Sequence, residues 1–384
     1  MARLPLELQS YIFVFVDSQS LPQKPDLNEA PILFLRVCRL WRDIALATPI
    51  LWTQLQIDSF PCQTNYLEAC AMWLKRARSL PLSVTLRGAL RLDKNLQDLL
   101  AQCSPRLKDL TLVIDQILVK GPTSSEIMWK MPERSLASLK TLSIEPTGYY
   151  TYGYISEWLD ILRAAPRLSH CKMINTLEDP DVLPLQPLML ASLECMHLGE
   201  PGDWNLRDNM GSNSLVILRY LTLPALKILT VSELDIADDA FLSFLSRSSP
   251  PLESLKMTLS HEEPWPESVV SRFLPLIPQL ITLDLAAIDG DPILPFVDLL
   301  ASSEVLPHLR TIVFRPNTAA NIHYSRLLSM LKCRFTLCPT RLERFELNFT
   351  EYVDMPNEEV RVALQQLARD GLKIHIGAPG NNML

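Results

Sequence analysis

The chain has 384 residues, 48% of them hydrophobic and 21% charged, which is the balance of a globular protein with ample core material and excludes a disordered one. A net charge of -7, with no lysine- or arginine-rich run, lacks the electrostatic footprint of a nucleic-acid-binding protein. No stretch of 18 or more apolar residues occurs, so nothing in the sequence reads as a membrane span.

The first predicted element is a helix over residues 4–17, LPLELQSYIFVFVD, whose Leu4-Pro5 start suits a proline and whose Leu8, Ile12 and Val16 share one face. Glu7 interrupts its apolar run and Asp17 stands where a small-residue cleavage site would lie, so it does not read as a secretory signal. The polar, proline-bearing SQSLPQKPDLNEA is a loop. Residues 31–49, PILFLRVCRLWRDIALATP, then supply two more helical pieces. Here Val37, Trp41, Ile44, Ala45 and Leu51 take the spacing of a buried helical face and its exit, with Arg39, Arg42 and Asp43 turned to water. Thr48-Pro49 ends the helix, because the residue before a proline leaves the α region and proline has no N–H to donate. These pieces are too apolar for their length unless something covers them. A linking helix follows within residues 61–80.

From about residue 100 a frame of Leu-x-x-apolar-x-apolar returns nine times, beginning RLKDLTL, SLKTLSI, RLSHCKM and SLECMHL and ending HLRTIVF and RLERFEL. Its first leucines are 107, 139, 168, 193, 226, 252, 280, 309 and 342, a spacing at the long end of a leucine-rich period. PLSVTL from residue 81 reads as a degenerate opening copy and GLKIHI from 371 as a closing one. Between copies, residues 155–166, 238–250, 295–304 and 357–371 have helical spacing, several ending at proline or glycine. A short strand and one helix cannot bury their apolar faces alone, so neighbouring repeats must stack around a shared core. The expected architecture is a curved parallel sheet backed by helices; an unrelated α/β domain with evenly spaced strands is the alternative. The turn-rich PGDWNLRDNMGSNS, 201–214, reads as a loop at one rim.

Over residues 80–377 the chain resembles the leucine-rich repeat family, although only Asn317 matches the asparagine or cysteine that the family often places three residues after the last apolar position. Irregular turns follow from that departure. The N-terminal series Leu4-Pro5-x-Glu7-Leu8, Ile12-Phe13, Leu33, Leu35-Arg36-Val37-Cys38-Arg39-x-Trp41-Arg42, Ile44-Ala45, Pro49 and Leu51-Trp52 resembles the F-box. The long loop before PILFLRVC and the helix after the module look like the F-box proteins common in mushroom-forming fungi, which also carry irregular leucine-rich repeats. The resemblance implies an α/β chain with a three-helix F-box at 1–60, a linking helix at 61–80, a leucine-rich-repeat solenoid at 81–377 and a tail at 378–384. It implies a substrate receptor of an SCF-type cullin-RING ubiquitin ligase, acting in ubiquitin-dependent degradation. Its partners are then a Skp-type adaptor, cullin and RING subunits through the adaptor, and a target protein. Leu4, Pro5, Leu8, Ile12, Leu33, Val37 and Trp41 become the adaptor-binding candidates, Trp41 and Trp52 also serving as packing of the small bundle. Residues 1–52 carry five cations and five carboxylates, so association there rests on apolar burial and shape. The other reading of these helices is a cap for the solenoid, in an interaction scaffold without a ligase.

Side chains alternate along a strand, so the residue between the last two apolar positions of each copy faces away from the core. Thr111, Ser143, Lys172, His197, Thr230, Lys256, Asp284, Val313 and Glu346 form this ladder and are the target-binding candidates, with no single charge sign. An enzyme is not expected. HEEPW at 261 has Trp265 where a zinc-protease helix needs its second histidine, and Pro264 breaks that helix. The 6 histidines are dispersed, and neither a nucleophile elbow nor a phosphate-cradling glycine loop occurs. No metal, cofactor, nucleic acid or membrane is expected. The 8 cysteines lack Cys-x-x-Cys spacing, and most sit in apolar surroundings and read as reduced core residues; together with the missing secretory signal and membrane span this points to the cytoplasm or nucleus.

Overall fold

A computed structural model describes residues 4–17, 23–58, 64–88, 94–114, 136–146, 152–174, 176–178, 187–199, 213–234, 240–259, 267–287, 293–316, 323–349, 356–378 and 382. Two units divide the chain, Met1–Asp181 and Val182–Leu384.

The first unit opens with helices α1 (Leu6–Asp17), α2 (Phe34–Val37) and α3 (Arg39–Ala47). The expected helical face from Val37 to Leu51 is interrupted at Cys38, which is fully extended (φ -159°, ψ 170°) and whose Sγ accepts the Trp41 N–H at 3.5 Å. Val37 therefore belongs to a separate turn and is exposed, while Ile44, Ala45 and Leu51 are buried. Likewise, among the described side chains of α1 it is Phe13 that is buried, and Leu8 and Ile12 are exposed; the Val16 side chain lies outside the described residues. Phe13, Phe34 and Trp41 form the small core, with ring centroids 4.2 Å (Phe13–Phe34), 5.1 Å (Phe13–Trp41) and 5.9 Å (Phe34–Trp41) apart. As the proline rule requires, α3 stops at Ala47, and a 3-10 turn (Pro49–Trp52) drives Leu51 and Trp52 into the interior. Trp52 Nε1 donates to Ala45 O at 2.9 Å.

Next come β1 (Gln54–Asp58), α4 (Thr64–Arg76), β2 (Leu82–Gly88), α5 (Lys94–Cys103), β3 (Leu107–Ile114), β4 (Thr141–Pro146), β5 (Tyr152–Tyr154), α6 (Ile155–Ala164), β6 (His170–Met173) and β7 (Thr176–Glu178). Strands β1, β2, β3, β4 and β6 lie side by side in that order, all parallel, and β5 pairs with β7. Strand β1 falls inside the span expected to be purely helical. It lacks the leucine frame, yet its Leu55 and Ile57 alternate into the core and its backbone pairs with β2. Trp73 of α4 meets Trp52 edge-on at 5.1 Å and donates to Gln54 O at 3.1 Å, so α4 packs on both the 3-10 turn and this first strand.

The second unit runs β8 (Leu188–Met189), β9 (Cys195–Leu198), a 3-10 helix (Asn213–Tyr220), β10 (Leu221–Thr222), β11 (Ile228–Leu234), α7 (Ala240–Ser248) and β12 (Ser254–Leu259). It continues as α8 (Glu267–Phe273), β13 (Thr282–Ala287), α9 (Leu294–Leu300), β14 (Thr311–Arg315), α10 (Tyr324–Thr336), β15 (Arg344–Asn348), α11 (Glu358–Arg369) and β16 (Lys373–Gly377). Seven strands, β9 and β11 to β16, are parallel neighbours. The nine repeated segments carry β3, β4 and β6 of the first unit and β9 and β11 to β15 of the second, and the opening and closing copies carry β2 and β16. The fold is thus mixed α/β, with parallel strands backed by helices. Leu255, Met257, Leu283, Leu285, Ile312, Phe314, Phe345 and Leu347 are buried on the helical side, and the residues between them form the other face. Residues 201–212 of the expected rim loop lie outside the described residues, and Asn213 begins the 3-10 helix.

Helices end with carbonyls that have no partner in their own ladder, and cations are favoured there. Arginines supply the need repeatedly. Arg106 reaches Arg78 O and Leu74 O after α4, Arg247 reaches Leu218 O and Leu221 O, and Arg341 reaches Asp370 O after α11. Arg334 is 1% exposed and bonds to the carbonyls of Leu300 (2.6 Å), Leu306 (3.0 Å), Ser302 (3.0 Å) and Val305 (2.6 Å) around the end of α9.

Candidate functional site

The first candidate surface is the outer side of α1 to α3. Of the nineteen exposed large hydrophobic residues among those described, thirteen lie between Leu4 and Ile50. Leu4, Leu8, Ile12, Leu33 and Val37 are among them, and Pro5 is exposed beside them. Trp41 has two roles, closing the Phe13–Phe34 cluster and leaving 37% of its surface open. Arg36 and Arg42 donate to Leu27 O and Leu35 O, both at 2.9 Å, so Arg42, expected merely to face water, ties the α2–α3 corner together.

The second candidate is the strand face opposite the helices. In the first unit Thr111, Ser143 and Lys172 stand in one register row, which Gln56 and Thr85 extend. In the second, His197, Thr230, Lys256, Asp284, Val313 and Glu346 form another row, which His375 extends. Gln56, Thr85 and His375 escaped the sequence reading, although the alternation of QLQID, LSVTL and LKIHI carries the signal. Thr230 and Val313, expected to face a partner, are buried. Each is a short β-branched side chain between taller neighbours, His197 and Lys256 or Asp284 and Glu346, on strands about 4.8 Å away.

Charge on these rows is largely internally paired. Lys172 Nζ lies 2.9 Å from Glu145 Oε1, which Ser143 also bonds at 2.9 Å. Burial pushes the Glu145 carboxyl up, but Lys172 and Ser143 outweigh it and hold it below its ordinary value. Glu346 behaves alike, its burial outweighed by Arg344 and Asn348. Asp284 differs: 13% of its side chain is exposed, Arg315 Nη2 lies 2.9 Å from Oδ2, and burial raises its carboxyl despite Arg315 and Lys256. A carboxyl whose folded value exceeds the unfolded one, near 3.9, destabilises the fold above the folded value and ceases to do so below the unfolded one. Asp284→Asn should therefore melt higher than the parent at pH 7, with the gap closing as pH falls through the acid range. Arg315, about a third exposed, keeps access to water in the variant. A lower melting temperature for the variant at pH 7 would contradict this assignment.

Cys195 Sγ and His197 Nε2 lie 3.1 Å apart on β9. Burial pushes this thiol up, the reverse of what activates a nucleophile. Cys70, Cys103 and Cys171 are also buried, whereas Cys38 is exposed and Cys333 and Cys338 are half-buried, so the expected apolar burial of the cysteines does not extend to those three. The HEEPW segment and Cys62 lie outside the described residues. Among the described residues no group of three or more His, Cys, Asp or Glu side chains is placed to hold a metal ion, and no helix is long and apolar enough to cross a membrane.

No family model matches the chain, and no curated protein matches it. Among solved structures it is similar to a protein from Bacteroides fragilis, at 14% identity over 79% of this chain and 75% of that one, with a TM-score of 0.38. At that score the likeness carries no argument about function.

Proposed function

We propose that the chain is the substrate-receptor subunit of an SCF-type cullin-RING ubiquitin ligase, with α1 to α3 as an F-box for a Skp-type adaptor and the strand–helix repeats as a leucine-rich-repeat solenoid for a target protein. The observation that carries the proposal is the apolar outer side of α1 to α3. A helical cap of a repeat array needs a polar outer face for solubility. This module buries Ile44, Ala45, Leu51 and Trp52, with Trp52 seated on Trp73 of α4 as a cap would seat it, yet presents Leu6, Tyr11, Phe15, Val37, Leu40 and Ile50 outward. A partner that covers them accounts for both sides. The chain itself performs no chemistry in this reading; it holds a target near a ligase that acts by proximity, in the cytoplasm or nucleus.

Co-expression with a Skp-type adaptor tests the proposal. A stoichiometric complex on size exclusion is expected, with a raised melting temperature, since a partner at a hundred times its Kd adds about 2.7 kcal/mol to the folded state. Equal yield and melting temperature with and without the adaptor would favour the cap. A target ubiquitinated only when both ends of the chain are present separates a ligase receptor from a plain scaffold.

A further inference from the structure

We infer that the open face of the seven-stranded sheet takes an extended acidic segment of its partner, a refinement that rests on the receptor reading above. Four cations, Lys256, Arg315, Arg344 and Lys373, stand on that face with two carboxylates, Asp284 and Glu346. Both carboxylates are already held, Asp284 by Arg315 at 2.9 Å and Glu346 by Arg344 with Asn348. Lys256 and Lys373 make no ion pair among the described residues. The face is thus cationic on a chain whose net charge is -7, and its own anions are turned inward onto arginines. The first unit's row offers no such surplus, since Lys172 is spent on Glu145.

Geometry sets the length of the segment. Lys256 on β12 and Lys373 on β16 are four inter-strand steps apart, about 19 Å at roughly 4.8 Å per step, and an extended peptide covers that in about six residues. A segment laid across the strands with acidic side chains at both ends reaches both ammonium groups and passes Arg315 and Arg344 on the way. Folded basic surfaces and lysine-rich peptides are excluded by the same charges.

The test uses the full chain with its adaptor and a fluorescently labelled peptide alternating glutamate and serine, about twelve residues long so that it exceeds the span. The glutamate peptide should bind in a salt-sensitive manner, and a lysine-for-glutamate version should not. Lys256→Glu with Lys373→Glu should weaken binding by about tenfold or more, because each reversal replaces an attraction with a repulsion. Lys332→Glu with Arg369→Glu, the same charge change at exposed positions on α10 and α11, should leave it within about twofold. Equal losses in the two double variants, or preference for the lysine peptide, would overturn the proposal. So would tighter binding of a single-stranded oligonucleotide that is lost in the same variant, which would make the face a nucleic-acid surface. A chain that fails to hold the adaptor yet binds the glutamate peptide at this face sinks the receptor reading and leaves the acidic-segment assignment standing; the converse result sinks only the latter.

Discussion

Replacing Leu8 and Ile12 together by alanine should weaken association with a Skp-type adaptor by about ten- to a hundredfold and leave the fold intact. The two side chains lie one helical turn apart on α1 and are 48% and 47% exposed in the free chain. About half of each is therefore still available for burial by a partner. Full burial of a leucine or isoleucine is worth roughly 1.5–3 kcal/mol, so covering the open half of both adds about 1.5–3 kcal/mol in all, and 1.4 kcal/mol is one decade of affinity. The loss should appear mainly as faster dissociation, because residues 1–52 carry balanced charge and give little electrostatic steering. Titration calorimetry or surface-immobilised adaptor measures it. Phe13→Ala should instead unfold the module, since Phe13 is the α1 side chain stacked on Phe34. A Leu8→Ala, Ile12→Ala chain that binds the adaptor as tightly as the parent would place the docking surface elsewhere or remove it.

Much of this arrangement could be read from the sequence because a parallel sheet open on one side leaves an alternating pattern, and because the leucine frame repeats it. Helices α6, α7, α9 and α11 fall where the apolar spacing puts them, and α3 stops where Thr48-Pro49 requires. What escaped depends on contacts distant in sequence. Strand β1 has only two apolar positions, and its pairing with β2 identifies it better than its own residues do. The sequence offers two helical pieces after the loop but not the boundary between them, because Cys38 is a single extended residue inside a run whose periodicity continues across it. Parity alone places Thr230 and Val313 on an exposed row, because it fixes the face a residue points to but not the height of its neighbours. For the docking surfaces the sequence locates candidate residues, whereas which anions are already neutralised, and by which arginines, follows only from the register of the strands.

Arg334→Met should cost about 2–4 kcal/mol of stability and lower the melting temperature of the second unit by about 4–16 °C, a large effect for a substitution outside the hydrophobic core. On sequence grounds this residue passes for a solvated position in the last turn of α10. Its partners are invisible there, the carbonyls of Leu300 and Leu306 lying 34 and 28 residues earlier. Burying a guanidinium is costly, and the cost is offset here because its nitrogens spread over four carbonyls that the end of α9 and the loop after it leave without helical partners. Methionine fills a similar volume but returns nothing to those oxygens, and each buried acceptor left unsatisfied costs about 1–3 kcal/mol. The buried Leu300 oxygen loses its donor and takes that cost, Leu306 O keeps the Leu309 N–H at 3.2 Å, and Ser302 and Val305 are partly open and recover some of theirs from water. Arg334→Lys should fall between parent and methionine, since one ammonium keeps the charge but cannot spread over four acceptors as a planar guanidinium does. Because α10 directly precedes β15, the loss should also loosen the strands that carry Glu346 and Lys373, and hydrogen exchange should rise first between residues 294 and 348. Thermal melting that ranks parent, lysine and methionine in that order supports a structural clamp; a methionine variant as stable as the parent would mean that the four carbonyls find other donors.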